Sequence, residues 1–551
     1  MLKLGLRGAL FALGVLAMAV AAACGGGSDN GGGGGGGKSG GSIRIGSVLP
    51  DEYDPVMFQT VQANQPLQLV YKGLVTYKDA EGTEGNQVIP GLATEIPTPT
   101  NGGKTYKFTL RKGLKYSDGS PVKASDFENT IKRLLYLGGP FSSFATTIKG
   151  ATDYQDTKKQ NGDISGIAAD DAKGTITVEL EAPDSQFLYA LGLANEAPTP
   201  AAKSPFKKSN NIPGAGPYKI SIQNPSRQFT LTKNTSFKVP GINPGKVDKI
   251  TVVKESVPKM TQDVIDGKLD FMTEDPTDQL AEVKAKYKDR FRQDANPPNT
   301  YWFFMNHTTP PFDKPEVRQA VNYALDSKAL QRVFNGRLEP TCNFLPALYE
   351  GMGYKKIDPC PWGDPNGKPD INKAKQLVEK SGDKGMKVTV WANNKDPRPA
   401  IADYYRDMLN QIGFKASTKI IDQQVYFGTI GTKKTKAQTG FTDWFQDFPH
   451  PNDFFEPNVS KAALASSPVF NFEYAPSPAG VDATLAKLKP KKPQDVSDQW
   501  AALDKKLIDS GDIAVYGSEL STSFFSERMD FDNCSGVHPV YKNDWALFCL
   551  K

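Results

Sequence analysis

The sequence predicts an α/β protein, because strand and helix signals alternate along most of its 551 residues. Alternating apolar and polar side chains predict strands at 42–48, 246–254 and 387–392. Apolar side chains spaced three and four residues apart predict amphipathic helices at 370–382 and 399–413, on either side of the third strand. Helix–strand–helix runs of this kind are typical of lobes in which helices cover a sheet.

Two further segments carry strong local signals. The segment 104–137 predicts a strand, a turn and a helix, with Ser125 and Glu128 spaced as a capping box before an apolar run. A second helix is predicted over 312–336, where a proline occupies the first turn and a glycine ends the run. The apolar stripes of these helices are interpreted as core packing.

The amino terminus predicts export. Lys3 and Arg7 precede an apolar run at 8–20, which is shorter than the roughly 20 residues needed to span a bilayer. Small residues then lead to Cys24, so residues 1–23 are predicted to be a secretory signal peptide. A cysteine at this place resembles the lipidation site of bacterial lipoproteins. We therefore expect a lipid anchor on Cys24 that holds the protein on the outer face of the cell membrane, facing the extracellular or periplasmic space. The alternative is a plain signal peptide with an incidental cysteine.

A glycine-rich stretch follows the cysteine, so residues 24–41 are predicted to be a lipidated cysteine and a flexible tether. Glycine-rich chains behave as random coils, and this one has an end-to-end distance of about 20–25 Å. That distance suits a tether that lifts a folded domain off a membrane surface.

Composition excludes several classes of protein. The hydrophobic content of 38% indicates a globular chain, and the formal net charge is +5, or +3 without the two cations of the signal peptide. This balance is typical neither of a nucleic-acid binder nor of a polybasic membrane protein. The chain has three His and lacks C-x-x-C and H-E-x-x-H motifs. We therefore expect no bound metal and no cofactor.

Four cysteines follow Cys24, and an even number in an exported protein predicts two disulfides. Neighbours in sequence favour the pairs Cys342–Cys360 and Cys534–Cys549. Three connectivities are open on sequence alone, and four free thiols are the alternative.

One short stretch, "TGFTDWFQDFPHPNDFF" at 439–455, combines aromatic and acidic residues unusually closely. Asp443 and Asp447 flank Trp444, a pattern that suits neither a core strand nor a solvated loop. Aromatic side chains beside buried charge indicate a binding pocket.

Several motifs in order along the chain resemble the extracellular solute-binding proteins of the dipeptide and oligopeptide transport family. They begin with "LPDEYDP", "YKGLVTY" and "PGLATEI" and continue with "YKFTLRKGLKYSDGSPVKASDF", "PGAGPYKI" and "NHTTPPFDKPEVRQAVNYALD" (106–127, 213–220 and 306–326 for the last three). The resemblance runs from about residue 42 to the carboxyl terminus.

The resemblance implies a two-lobe fold of the periplasmic-binding-protein type II, with an extra domain on the amino-terminal side and a ligand cleft between the lobes. Lobe I would comprise 42–70, 203–302 and 519–551. The extra domain would comprise 71–202, and lobe II would comprise 303–518.

The resemblance also assigns the aromatic and acidic stretch. Peptide-binding relatives carry a W-x-x-D pattern whose aspartate binds the α-ammonium group of the peptide, and Trp444 and Asp447 match it. A carboxylate is needed there because an ammonium group leaving water must be compensated. The aromatic face adds cation–π contact. The alternative is that Asp447 caps a turn and Trp444 belongs to the core.

A second segment, 54–62, matches the part of the family whose backbone binds the peptide main chain in the manner of a strand. Val61 would make that backbone contact, and Phe58 would lie in the same ligand-binding segment. Gln59 stands where relatives have an acid that helps to bind the α-amine, so one charge is missing. Arg398 is a candidate partner for a ligand carboxylate, and a solvated loop arginine is its alternative.

The resemblance therefore implies a substrate-binding lipoprotein that captures di- or oligopeptides by lobe closure and delivers them to the permease and ATPase subunits of an ABC importer. We expect it to be monomeric, to bind no nucleic acid and to have no enzymatic activity. A carrier of the same fold for an oligosaccharide, a nickel chelate or an opine is the alternative. An exported hydrolase is a remote one, because no Ser-His-Asp set can be assigned.

Overall fold

The structure is a computed structural model that describes residues 39–58, 60–159, 161–201, 206–295, 297–465, 469–534 and 536–551. The predictions for the signal peptide, for Cys24 and for Gln59 lie outside the described residues. Of the predicted tether at 24–41, residues 24–38 also lie outside the described residues.

The strands of the described residues are, in chain order, β1 (Ser42–Ser47), β2 (Val75–Tyr77), β3 (Val88–Pro90), β4 (Thr105–Thr109), β5 (Ile167–Asp170), β6 (Thr175–Glu179), β7 (Tyr218–Asn224), β8 (Gln228–Lys233), β9 (Lys249–Lys254), β10 (Phe271–Met272), β11 (Phe291–Gln293), β12 (Asn299–Met305), β13 (Leu338–Glu339), β14 (Lys387–Asn393), β15 (Lys415–Ile421), β16 (Thr439–Phe445), β17 (Ala514–Glu519), β18 (Thr522–Phe525), β19 (Val537–His538) and β20 (Lys542–Asn543).

The α-helices of the described residues are α1 (Val61–Val70), α2 (Ala124–Leu137), α3 (Ser142–Ala145), α4 (Ala151–Thr157), α5 (Phe187–Ala190), α6 (Val257–Ile265), α7 (Leu280–Lys286), α8 (Pro315–Ala324), α9 (Ser327–Val333), α10 (Ile371–Ser381), α11 (Arg398–Ile412), α12 (Gln423–Ile430), α13 (Asn452–Val459), α14 (Val481–Leu488) and α15 (Ser497–Ser510). Within the described residues, no helix is both long and apolar enough to span a bilayer.

The first large sheet has the strand order β11-β18-β10-β1-β9-β8-β7. β1 runs parallel to both of its neighbours, β9 and β10, although these strands lie about 200 residues further along the chain. The apolar positions of β1 are Ile43 and Ile45, which are fully buried in the core of this sheet. We call the part of the molecule built on this sheet the first lobe.

The second large sheet has the strand order β13-β17-β12-β16-β14-β15. β14 is parallel to β15 and β16, whereas β12 is antiparallel to β16 and β17. All seven residues of β12 are buried, because helices and loops cover both faces of the sheet at its centre. We call the part built on this sheet the second lobe, and the α/β two-lobe prediction is confirmed.

Two smaller sheets, β2-β3 and β4-β6-β5, lie between α1 and β7 in the chain. The apolar face of α2, including Phe127 and Ile131, packs on the inner face of β4 and β6. We call the part containing these two sheets the extra domain.

The chain passes from the first sheet to the second between β11 and β12, and returns between β17 and β18. β12 begins at Asn299, so residues 299–302 lie in the second sheet although they were predicted in lobe I. Glu519 likewise pairs with Leu338 in the second sheet. The other predicted domain boundaries stay a prediction.

Two local predictions were wrong. The helix predicted over 312–336 is broken into α8 and α9, because Asp326 is extended and its Oδ1 accepts from Ala329 N at 2.8 Å as a new N-cap. The capping box predicted at Ser125 and Glu128 is also absent, since Ser125 lies inside the first turn of α2 and is not its N-cap. The backbone N–H of Lys123 donates instead to Asp126 Oδ2 at 2.8 Å.

Two disulfides join Cys342 to Cys360 and Cys534 to Cys549. These are the pairs that proximity in sequence favoured. The first closes a loop of the second lobe, and the second lies near the carboxyl terminus in the first lobe.

Candidate ligand-binding site

The aromatic and acidic stretch forms β16 and the loop between β16 and α13. β16 ends at Phe445, and α13 begins at Asn452. β16 runs parallel to β14, so the loop lies at the carboxyl edge of these strands. Ligands of open α/β sheets bind at this edge. The fold therefore puts the predicted Trp444 and Asp447 at the edge of the second lobe where a ligand is expected.

Trp444 and Asp447 are brought together by a third residue, Asp453. Its Oδ2 accepts a hydrogen bond from the backbone N–H of Asp447 at 3.0 Å and one from Trp444 Nε1 at 3.4 Å. Asp453 is fully buried at the start of α13, whereas Asp447 is partly exposed. Sequence reasoning missed Asp453, although it belongs to the same acidic stretch.

The two carboxyl groups have raised pKa values. Burial raises the pKa of Asp447 above its ordinary value. Burial also raises the pKa of Asp453 well above the ordinary value, and the nearby charge of Asp447 raises it further. The pair is therefore a strong candidate for binding a cation, which would favour the ionised form of both groups.

The residue after Asp447, Phe448, joins this loop to the rest of the molecule. Its ring meets that of Phe144 in the extra domain edge-on, with 4.9 Å between the ring centroids. Phe144 packs in turn on Phe141, and Phe141 lies 6.2 Å from Phe58. The two segments predicted to bind ligand, 54–62 and 439–455, are thus connected through aromatic rings.

Polar contacts also join the extra domain to the second lobe beside this loop. Ser185 Oγ lies 3.1 Å from His450 Nε2, and Asn452 Nδ2 donates to Gln186 Oε1 at 2.8 Å. Burial lowers the pKa of His450 to about 3, and the charge of Lys489 contributes to the decrease. His450 is therefore neutral at physiological pH and acts here as a packing and hydrogen-bonding group.

The two lobes contact each other directly at the carboxyl ends of β10 and β14. Lys395, which follows β14, lies with its Nζ 3.4 Å from Oε2 of Glu274, which follows β10. Gln62 in the first turn of α1 donates to the other oxygen of Glu274 at 2.8 Å. Sequence reasoning missed Lys395 and Glu274, because single charged side chains carry no distinctive pattern, and it included Gln62 only as the last residue of the segment 54–62.

Arg398 is buried, so the alternative of a solvated loop arginine is wrong. It is the first residue of α11, and its Nη2 donates to Tyr301 OH at 2.7 Å and to Asp443 Oδ2 at 3.1 Å. Its guanidinium lies 4.9 Å from the ring centroid of Phe441. Within the described residues Nη1 has no hydrogen-bond partner. That nitrogen is free to bind a ligand carboxylate, and this role stays a prediction.

The segment 54–58 is held by buried polar contacts. Asp54 forms an ion pair with Arg133 of α2, and both side chains are buried. Phe58 is also buried, at 2% exposure. Val61 is the first residue of α1, so its backbone N–H has no acceptor within the helix. The predicted backbone contact of Val61 with a ligand stays a prediction.

Two cavities lie away from these residues. One of about 770 Å³ lies between the extra domain and the second lobe and is lined by Tyr106 and Tyr189 among others. The other, of about 430 Å³, lies beside the Cys342–Cys360 disulfide. None of the predicted ligand-binding residues that the structure describes lines either cavity. In the described part of the chain, no group of three or more His, Cys, Asp or Glu side chains is arranged to hold a metal ion.

Two α/β lobes with an acidic and aromatic loop at the carboxyl edge of one sheet define a two-lobe binding protein. The family model for bacterial extracellular solute-binding proteins, family 5 (middle) matches residues 87–466. The chain therefore belongs to this family.

The chain shares low sequence identity with the individual relatives. The chain is 26% identical over 436 residues to the dipeptide-binding protein DppE of Bacillus subtilis, covering 74% of each chain. Its structure is similar to that of the clavulanic acid biosynthesis oligopeptide binding protein 2, with a TM-score of 0.82 and 21% identity over 93% of this chain and 96% of that one. It is also similar to Helicobacter pylori DppA in complex with the peptide STSA, with a TM-score of 0.77 and 19% identity over 93% and 98% of the two chains. These structural likenesses define the fold.

Proposed function

We propose that this chain is the substrate-binding component of an ABC importer that captures peptides with a free amino terminus between its two lobes and delivers them to the permease. The observation that carries this proposal is the pair Asp447 and Asp453 beside Trp444. Both carboxyl groups have raised pKa values, and within the described residues neither forms an ion pair with a lysine or arginine. A peptide α-ammonium group supplies the positive charge that this site lacks.

The relatives support a peptide as the solute. The Bacillus protein is named for dipeptide binding, and the Helicobacter structure contains a tetrapeptide. Contacts among the first lobe, the second lobe and the extra domain support capture by closure, because a ligand that bridges two lobes favours their closed arrangement.

The same proposal includes the location of the protein. A cysteine after a signal peptide and a glycine-rich stretch suit a lipid anchor on Cys24 at the outer face of the membrane. The protein acts as a monomer that binds its solute without chemical change. Replacement of Cys24 by Ser should release the protein into the medium, and unchanged membrane retention would contradict the anchor.

The identity of the solute is tested first. Native mass spectrometry of protein purified without denaturation should detect a bound peptide. A non-peptide mass such as that of an oligosaccharide or an opine would instead favour the alternative solute class.

Calorimetry then tests the ammonium contact. Asp447→Asn should reduce the affinity for a free-amine peptide by about 30-fold or more, because a buried ammonium group loses its charged partner. Acetylating the amino terminus removes the same interaction from the ligand, so the two changes should not be additive. Trp444→Ala should weaken binding of both peptides through lost apolar contact, and should weaken the free-amine peptide somewhat more because only that peptide makes a cation–π contact. Equal losses on acetylation in the wild type and in Asp447→Asn would mean that Asp447 does not bind the ammonium group.

A further inference from the structure

One carboxyl oxygen of Asp453 accepts no hydrogen bond from the residues that the structure describes. Its side chain is fully buried, and its Oδ2 already accepts two N–H groups, from Asp447 and Trp444. Its other oxygen, Oδ1, has no hydrogen-bond partner among the described residues. A buried carboxyl oxygen without a donor is costly unless it holds a proton or faces a donor that a ligand brings.

Among the residues that the structure describes, the groups that face the two carboxyl groups from other elements provide neither a positive charge nor a hydroxyl that is free to donate a hydrogen bond to them. Tyr77 of β2 and Tyr349 both lie close enough to interact with them. The hydroxyl of Tyr77 donates to the backbone oxygen of Tyr189, and that of Tyr349 donates to Phe448 O at 3.1 Å. His450 in the same loop is neutral. Lys489, whose charge acts on His450, is paired with Glu456.

We propose that Asp453 binds the ammonium group of the ligand together with Asp447, and that the pair exchanges this ammonium group for a proton. The inference rests on the proposed function and adds a second binding residue to it. When the ammonium group enters, one proton leaves the pair for the solvent, and the ammonium group keeps its own three protons. When the ligand leaves, the pair takes that proton back from water.

The donor count supports this arrangement. Two carboxyl groups present four oxygens, and the protein supplies Asp453 Oδ2 with two N–H donors. An ammonium group brings three N–H donors and a full charge, so it can bind oxygens of both residues. A neutral amide at the same place offers fewer donors and no charge. The pair therefore selects ligands with a cationic amino terminus more strongly than one carboxylate would.

The exchange has a definite pH dependence. Both carboxyl groups have pKa values above their ordinary range, so the empty pair holds protons that compete with the ammonium group. The affinity should therefore fall as the pH is lowered from about 8 to about 5. Asp453→Asn removes the like charge beside Asp447 and should make the affinity of the variant less sensitive to pH.

Calorimetry with trialanine and tetra-alanine in two buffers of different ionisation enthalpy tests the exchange. At about pH 6.5 the wild type should release about one proton for each peptide bound, and Asp453→Asn should release less than half of that. At about pH 8 the variant should bind roughly tenfold more weakly. The asparagine Oδ1 can accept the same two N–H groups, so thermal melting should show a folded variant.

Infrared spectroscopy of the ligand-free protein gives a second readout. The wild type at about pH 7 should show a protonated carboxyl band that Asp453→Asn reduces. The same band intensity in both proteins overturns the inference. Wild-type affinity and proton release in Asp453→Asn, together with lost binding in Asp447→Asn, overturn it while leaving the proposed function intact. If Asp447→Asn also binds both peptides normally, or neither peptide binds the wild type, the proposed function fails instead.

Discussion

Lys395 Nζ lies 3.4 Å from Glu274 Oε2, and this ion pair joins the second lobe to the first. Glu274 is nearly buried and held by Gln62, whereas the Lys395 side chain is half exposed. An opening of the cleft that separates β10 from β14 must break the pair. It therefore stabilises the closed arrangement by the amount that a partly exposed ion pair contributes, about 1 kcal/mol at most.

Lys395→Met should accordingly shift the ligand-free protein towards the open arrangement. Without ligand, small-angle scattering should give a larger radius of gyration for Lys395→Met than for the wild type. The difference between the two radii should become smaller at saturating peptide. The matched control is Lys384→Met, because Lys384 pairs with Glu379 at 3.5 Å inside the second lobe. Identical scattering curves for the wild type and both variants would contradict a role of the Lys395 pair in closure.

Arg398→Met should destabilise the second lobe. The substitution leaves the partly buried carboxylate of Asp443 without its cation, which costs up to about 3 kcal/mol in the free energy of unfolding. Asp443→Asn combined with Arg398→Met should be less destabilised than the sum of the single variants. Urea unfolding measures this coupling.

The same variant tests whether Arg398 binds a ligand carboxylate. If its Nη1 does so, Arg398→Met should lose affinity for a peptide with a free carboxyl terminus and not for the corresponding amide. Equal losses for the acid and the amide would assign Arg398 to the structure of the lobe alone.

Glu473 should make stability fall with rising pH. Its side chain is fully buried, Oε1 accepts from Trp302 Nε1 at 2.8 Å, and burial raises its pKa to about 8. At pH values between the pKa of Glu473 in the unfolded chain and its pKa in the folded protein, the native state holds one proton more than the unfolded state. Each pH unit in that range therefore costs about 1.4 kcal/mol of stability. Glu473→Gln removes this dependence, so its melting temperature relative to the wild type should rise between about pH 5 and pH 8. A constant difference would contradict an ionising Glu473.

Local sequence patterns predicted single elements better than their assembly. The alternation in β1 is visible in seven residues, but its pairing with β9 and β10 depends on contacts about 200 residues away. The break between α8 and α9 had a readable signal in Asp326, a good N-cap residue inside an apolar pattern that otherwise continues. Periodicity alone hid this break, because the stripe resumes in the second helix.

In the candidate site, too, residues close together in the sequence could be predicted, whereas contacts between distant residues could not. Trp444 and Asp447 could be predicted because they lie three residues apart in one stretch. Lys395 and Glu274 are 121 residues apart, and in a chain with 66 Lys and Arg and 61 Asp and Glu, charge alone does not identify partners. Asp453 could have been noted in the same stretch as Asp447, but only the fold shows its unpartnered oxygen.

The Cys342–Cys360 disulfide should support ligand binding, whereas Cys534–Cys549 should not. The two close loops of similar length, with separations of 18 and 15 residues, so loss of either should cost about 3 kcal/mol of stability on the chain-entropy account. Only the first loop contains Tyr349, whose hydroxyl donates to Phe448 O beside Asp447. Replacing both cysteines of that loop by Ser should loosen this contact and reduce peptide affinity about fivefold, the value of one hydrogen bond. The double variant at Cys534 and Cys549 is the matched control, with equal destabilisation in urea and unchanged affinity by calorimetry. Equal affinities in the two double variants would mean that the first loop does not position Phe448.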